Sequence, residues 1–356
     1  MKYIRRYTNL AVPEILAYDN TLNNRIHAPF IVVEFVSGQP VSQAWHSHDG
    51  PTSRPERRRN IVCSLARQMA ELKKLQFSEI GMLHFARDDD DSPTVQPWIR
   101  EEEFKPGEPQ DDATDPDIAQ KLVPMPVQNT AKAYFEMTMS RSDPRLKTDS
   151  PPMTAPDLES FGLAHMDLNK QNVIFDDSGN VIGILDWQWV RTAPSFMSWA
   201  GLPIWLRADF SDPCYMWPLV DEDICPEQLA QYRELYAAAV WEVTGDAKDW
   251  LIVRGSAAAA ACNDALFGGN KESVWVRKIL AKAIPGVEMG SFVEILGQRG
   301  WQDDKEMEAV GARLHGVFDG KLKRARKTVW QQTADVGKKG REAPGPRYIE
   351  VLHPCP

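Results

Sequence analysis

Two short apolar runs around a polar turn dominate the middle of the chain. Val173-Ile174-Phe175 and Val181-Ile182-Gly183-Ile184-Leu185 are rich in β-branched residues, and Asp176-Asp177-Ser178-Gly179-Asn180 between them has turn composition. The pattern predicts a β-hairpin. A second apolar run, residues 29–38, predicts a strand ending in a glycine turn; residues 12–19 predict a loop entering a strand, and Gly81 to Phe85 a short strand. Elsewhere the apolar positions recur at helical spacing. Residues 54–76 contain IVCSLARQMAELKKLQ, a long helix expected to be the first core helix of a large unit. Further helices are predicted over 130–140, 226–244, 247–267, 272–283 and 292–296. Residues 1–7 read as the end of a helix with Arg5 and Arg6 near its C-terminus.

The chemistry concentrates on the hairpin. His165-x-Asp167 precedes it, Asn172 stands five positions after Asp167 at the start of the first strand, and Asp186 follows the second. Asn172 and Asp186 therefore fall at one open end, with Asp167 in the loop that feeds it. An amide oxygen facing a carboxylate suits a hard divalent cation such as Mg2+. A second carboxylate nearby can take a proton from a substrate hydroxyl. Together these are the metal and base parts of a phosphoryl-transfer site.

His165-Met-Asp-Leu-Asn-Lys-Gln-Asn172 followed by Ile184-Leu-Asp-Trp187 resembles the H-x-D-x-x-x-x-N and I-D-[FWY] pair of the aminoglycoside phosphotransferase-like kinases, in particular a large fungal branch that the region 8–45 also matches. The resemblance covers roughly residues 1–300 by motif order. It implies an α+β, protein-kinase-like two-lobed fold with a truncated small β lobe and a large, mainly helical C-terminal lobe. Residues 1–40 would be the remnant of the N-terminal lobe, 41–320 the C-terminal lobe, and 321–356 a basic mobile tail. Asp167 would be the catalytic base, His165 a brace for its loop, and Asn172 and Asp186 the Mg2+ ligands. ATP would be the co-substrate, its adenine edge met by backbone groups at Glu34, Phe35 and Val36. Lys170 is a weaker candidate for offsetting phosphate charge.

The same resemblance leads one to expect a Gly-rich loop between strands, a strand-borne Lys and a helix with its Glu partner. None is found before Thr8, and the chain reads as opening inside that helix. Gly268-Gly269-Asn270-Lys271 and Gly337-Lys338-Lys339-Gly340 lack a preceding strand and read as a helix end and a linker. Two remaining strands would leave an exposed sheet edge, to be covered by a partner chain or by the chain's own tail at residues 347–353.

Residues 87–118 are biased to Pro, Gly, Asp and Glu and read as a solvated acidic loop, with a lid for a cationic substrate as the alternative. Residues 141–157 read as a polar spacer. His46 and His48 read as solvated. Trp199 and Trp205 are expected to pack beneath the metal loop, and Trp187, Trp189 and Asp209 are weak candidates for substrate contact.

Composition adds limits. A net charge of −9 argues against nucleic acid as a partner. Five scattered Cys form no C-x-x-C pair, which indicates neither a zinc site nor a disulfide framework. No segment has the length of a membrane span, and the N-terminus lacks an unbroken apolar core, so cytoplasmic residence is expected. The expected activity is ATP- and Mg-dependent phosphate transfer to a small-molecule hydroxyl. The competing expectations are a pseudokinase, scaffold or binding module that retains the large lobe, and an enzyme of non-phosphoryl chemistry using Asp167 as a general base.

Overall fold

The structure, a computed structural model, describes residues 1–87, 90–103, 120–142, 160–212, 214–220 and 224–267. The expectations for 104–118, 143–157, the helices after 267, the two glycine-lysine segments and the tail lie outside these residues.

The chain opens with helix α1 (Lys2–Tyr7), then the antiparallel pair β1 (Ile15–Asp19) and β2 (Phe30–Val33). Strand β3 (Gln39–Pro40) leads through the one-turn helix α2 (Val41–Ala44) to the long helix α3 (Arg54–Ala70). Helix α3 begins behind Ser53 with Pro55 in its first turn, where a missing N–H costs nothing. A tight turn, Glu71–Lys74, then ends the helix before β4 (Gln76–Phe77), several residues earlier than the helical spacing predicts.

Next come β5 (Met82–His84), β6 (Thr94–Gln96), β7 (Trp98–Glu103), β8 (Gln120–Met125) and α4 (Ala131–Ser142). Here the structure corrects the expectation of an acidic loop. Strand β6 pairs with β5, and β7 pairs with β8 over six residues. The Pro and Glu bias hid strand pairing whose partner lies across the segment. Strand β9 (Phe161–Ala164) then leads to the predicted hairpin, β10 (Val173–Phe175) with β11 (Val181–Ile184), and to β12 (Arg191–Ala193). The short helix α5 (Ala208–Ser211) precedes α6 (Pro226–Thr244) and α7 (Ala247–Phe267), whose limits match the predicted ones. Helix α6 starts with Pro226 and ends at Gly245, whose φ of 66° is the left-handed cap that glycine adopts without strain.

The core is built on α3, which packs against α6, while α6 packs against α7. Ile61, Val62, Leu65, Ala66 and Met69 on one face of α3 are buried, and the hairpin contributes Val173, Phe175, Val181 and Ile184. Trp45 meets Trp205 edge-on at 6.0 Å and Tyr232 at 5.6 Å, and Trp199 and Trp205 are buried in the same core as the hairpin's apolar residues. Two buried arginines tie the 44–53 loop to α3. Arg57 donates to the carbonyls of Ala44, Ser47 and Asp49, and Arg58 to that of Trp45.

Strand β3 joins β10, making the order β11-β10-β3. Gly38 permits this, because a Cβ there would lie 2.6 Å from the Phe175 carbonyl. Strands β12-β9-β4 form a second small sheet below it. The apolar run 30–35 departs from a buried strand: Ile31 is 55% and Phe35 88% exposed. Among the described residues β1 and β2 pair only with each other. No described helix is long and apolar enough to cross a membrane.

Candidate functional site

Buried strand β9 delivers His165 to the end of the hairpin. Its Nε2 lies 2.7 Å from the Leu185 carbonyl, and its ring meets Trp187 edge-on at 4.8 Å. The Trp187 indole donates in turn to the Ile184 carbonyl at 2.7 Å. The Leu185 N–H donates to the Asn172 carbonyl at 2.7 Å, which carries the hairpin ladder one step past its last paired residues. Both backbone polar groups of Leu185 are therefore held, and Asp186 follows at a fixed place with φ of 56°. That conformation is uncommon for a residue other than glycine, and it aims the side chain out of the hairpin's own pleat.

The loop before the hairpin folds on itself. Asn169 N–H donates to the Asp167 carbonyl, and Asn172 N–H to the Asn169 carbonyl. The Asn172 side-chain NH2 lies 2.9 Å from both the carbonyl and Oδ2 of Asp167. Gln171 Nε2 reaches the same Oδ2 at 3.4 Å. Because the nitrogen end of the Asn172 amide is engaged by Asp167, its oxygen end is left to act as an acceptor or ligand. Asp186 is exposed and makes no hydrogen bond or ion pair with any described residue. The negative charges of Asp167 and Asp186 both act on His165, so both carboxylates lie within electrostatic reach of its ring.

These residues fit Mg2+. Two hard oxygen donors, one amide and one carboxylate, suit an ion that keeps several of its own waters and binds through few protein ligands. No group of three His, Cys, Asp or Glu side chains occurs among the described residues, so a closed protein cage for a metal is not formed there.

Burial lowers the affinity of His165 for a proton, against the raising effect of the Leu185 carbonyl and the two aspartates. The imidazole is neutral at pH 7, with Nε2–H donating to Leu185 and Nδ1 buried without a partner. An unfolded histidine protonates near pH 6.5. The unfolded state thus binds more protons just below that pH, and stability falls as pH falls through this window. His165→Gln, which keeps a donor, should flatten the slope by at most about 1.4 kcal/mol per pH unit. Urea unfolding at pH 5.5 and 7.5 measures it, and equal slopes in the two proteins would refute the assignment.

The other candidates divide. Glu34 N–H is committed to the Glu14 carbonyl at 2.8 Å, so of Glu34 only the carbonyl could meet an adenine edge, beside the backbone of Phe35 and Val36. Val36 lies over Gly183, where a Cβ would come within 2.8 Å of it. This holds the 34–36 segment against the hairpin. Lys170 Nζ lies 3.4 Å from His46 Nε2, so His46 is drawn into the site's edge rather than solvated. Trp187 is core, Trp189 is half exposed, and Asp209 is taken up by an ion pair. The Asp209 carboxylate is buried and takes both Nη1 and Nη2 of Arg233, at 2.7 and 3.3 Å. Sequence reasoning missed Gln171, although it stands inside the motif next to Asn172. It also missed a cavity of about 110 Å3 bordered by His165, Met166, Leu168 and Asn263, whose walls come from four separate segments. A space of about 210 Å3 between α1 and the β1–β2 ribbon contains no catalytic-loop residue.

Residues 2–196 match the model of the phosphotransferase enzyme family, APH. Among curated proteins, the chain is 28% identical over 113 residues to the clavilactone A biosynthesis cluster protein Y of Ampulloclitocybe clavipes. It is 29% identical over 87 residues to the altered inheritance of mitochondria protein 9 of Candida albicans. The stretches cover 32% and 24% of this chain, but only 28% and 14% of those proteins' own lengths. A solved Ralstonia eutropha chain, provisionally assigned as an aminoglycoside phosphotransferase, aligns over 92% of this chain and 82% of its own. Its identity of 15% and TM-score of 0.37 are too low to carry an argument.

Proposed function

The chain belongs to the phosphotransferase enzyme family, and from that premise we propose that it moves the γ-phosphate of ATP to a hydroxyl of a small molecule with Mg2+ bound. In this reading the β1–β2 ribbon lies on the small-lobe side and the α3, α6 and α7 body on the large-lobe side of a kinase-like cleft. The observation that supports it most is the Asn172 amide, held by Asp167 with its oxygen end free, beside an exposed and unpartnered Asp186. Mg2+ would supply charge neutralisation for the phosphates. Asn172 and Asp186 are the residues to hold it. Asp167 orients the acceptor hydroxyl and takes its proton, while Gln171 and Asn172 keep its carboxylate in place. His165, neutral and bonded to Leu185, holds the loop against the hairpin. Phosphoryl transfer depends mainly on such positioning and charge placement.

The test is thermal stabilisation by ATP with Mg2+ and with EDTA, alongside radiolabel transfer to a library of hydroxyl compounds. Stabilisation should require Mg2+, and Asp186→Asn should weaken the apparent Mg2+ affinity by at least about tenfold, since even residues behind a metal ligand cost that much. ATP stabilising the protein equally in EDTA would overturn the reading.

A further inference from the structure

The cavity beside the catalytic loop says something about the acceptor, on the premise of the phosphotransferase reading above. His165, Met166 and Leu168, which flank Asp167 in the chain, border it. Its other walls are mixed: Met69, Met197, Leu202 and Ile204 supply an apolar side, and Ser198, Arg207, Asn263 and Asp264 a polar one. The two charged groups on its wall cancel, because Arg207 donates to Asp264 at 2.8 Å. Among the described residues no other carboxylate lines it. At about 110 Å3 it holds roughly one ring-sized group, given about 30 Å3 for each water in the liquid.

The polar end of the cavity is set by a chain of three side chains. Arg191 is buried, stacks on the Trp98 ring at 3.8 Å and meets no carboxylate among the described residues. Its Nη2 donates to the Tyr134 hydroxyl at 3.4 Å. The Tyr134 hydroxyl in turn donates to Asn263 Oδ1 at 3.2 Å. The direction follows from the arginine, which has only donors, so the tyrosine proton must point onward. Asn263, itself only 6% exposed, is left with its NH2 and has no hydrogen-bond partner among the described residues. That nitrogen is not sealed in protein, and Asn263 lines the cavity. An uncompensated arginine behind the relay disfavours a cation and strengthens the terminal amide as a donor.

We propose that this cavity seats the body of the acceptor, an uncharged alcohol with one apolar side and an oxygen that accepts a hydrogen bond from the Asn263 amide, and that it rejects polyamines. Asn263 is thereby a specificity-determining residue.

The test uses the full chain and three probes: 3-(hydroxymethyl)benzamide, 3-methylbenzyl alcohol and the polyamine alcohol kanamycin. Affinities come from ligand-observed NMR titration, with phosphate transfer from MgATP followed in parallel. The benzamide should bind about three- to tenfold more tightly than the methyl compound, the worth of one net hydrogen bond, with kanamycin weakest. Asn263→Leu should erase the difference between the aromatic probes. Should that variant fold poorly, Ala260→Phe fills the cavity from α7 and should weaken both aromatic probes together. Kanamycin binding tightest, equal affinities of the aromatic probes, or no binding by any of them would overturn the proposal. The predicted order of affinities with no phosphate transferred to any probe would sink the phosphotransferase reading and leave the cavity's selectivity standing.

Discussion

Asp167→Ala lowers turnover by about two to four orders of magnitude while the protein stays folded, the loss expected when a positioned base is removed. Both parts of that outcome come from the loop's wiring. The carboxylate accepts from Asn172 and Gln171, but the Asn172 amide also donates to the Asp167 main-chain carbonyl at 2.9 Å. That bond survives the substitution, as do the Asn169 bond to the same carbonyl and the His165–Leu185 contact. The residue is half-buried, so no cavity forms in the core. Steady-state phosphate transfer and calorimetry on the same samples separate the two effects. A variant that keeps more than a tenth of the activity would remove Asp167 from the chemistry. One that loses activity only by unfolding would make it a structural residue.

Asp209→Ala should destabilise the fold by about 3–5 kcal/mol, because it strands a buried arginine without its counter-charge. The Arg233 side chain is 12% exposed and that of Asp209 2%, and the guanidinium grips both carboxylate oxygens. Arg233 also donates to the Leu206 carbonyl at 2.8 Å and lies 5.1 Å from the Phe210 ring centroid. The melting temperature should fall by roughly 10 °C. The double variant Asp209→Leu with Arg233→Met should recover most of the loss, since replacing both partners leaves no unpaired charge. A single variant within 1 kcal/mol of the natural protein would show the pair to be dispensable. The consequence reaches the site, because the segment this pair anchors also donates from Ile204 N–H to the Leu168 carbonyl and walls the cavity beside Asp167.

Asp209 shows why part of the site escaped the sequence. An aspartate in an aromatic segment after a metal-type hairpin reads as a substrate contact until its partner, 24 residues later on α6, is in view. Residues 30–35 failed for a related reason. Apolar composition predicts a strand, and one forms, but burial depends on what covers it, and no described element does. The 94–103 strands were hidden because their acidic and proline-rich composition argues for loop while pairing across the segment overrides it.

What the sequence determined alone was what short-range chemistry decides. The turn residues 176–180 define the hairpin, Pro226 and Gly245 bound α6, and the spacing of Asn172 and Asp186 around that hairpin puts them at its open end, because hairpin register fixes which residues share it. The tertiary structure alone decided which distant groups neutralise one another and which remain unpaired. Arg233 takes Asp209, Arg207 takes Asp264, and the Arg191–Tyr134–Asn263 relay joins residues up to 129 apart. Such partners are chosen by packing between elements, and no local pattern in the chain encodes that.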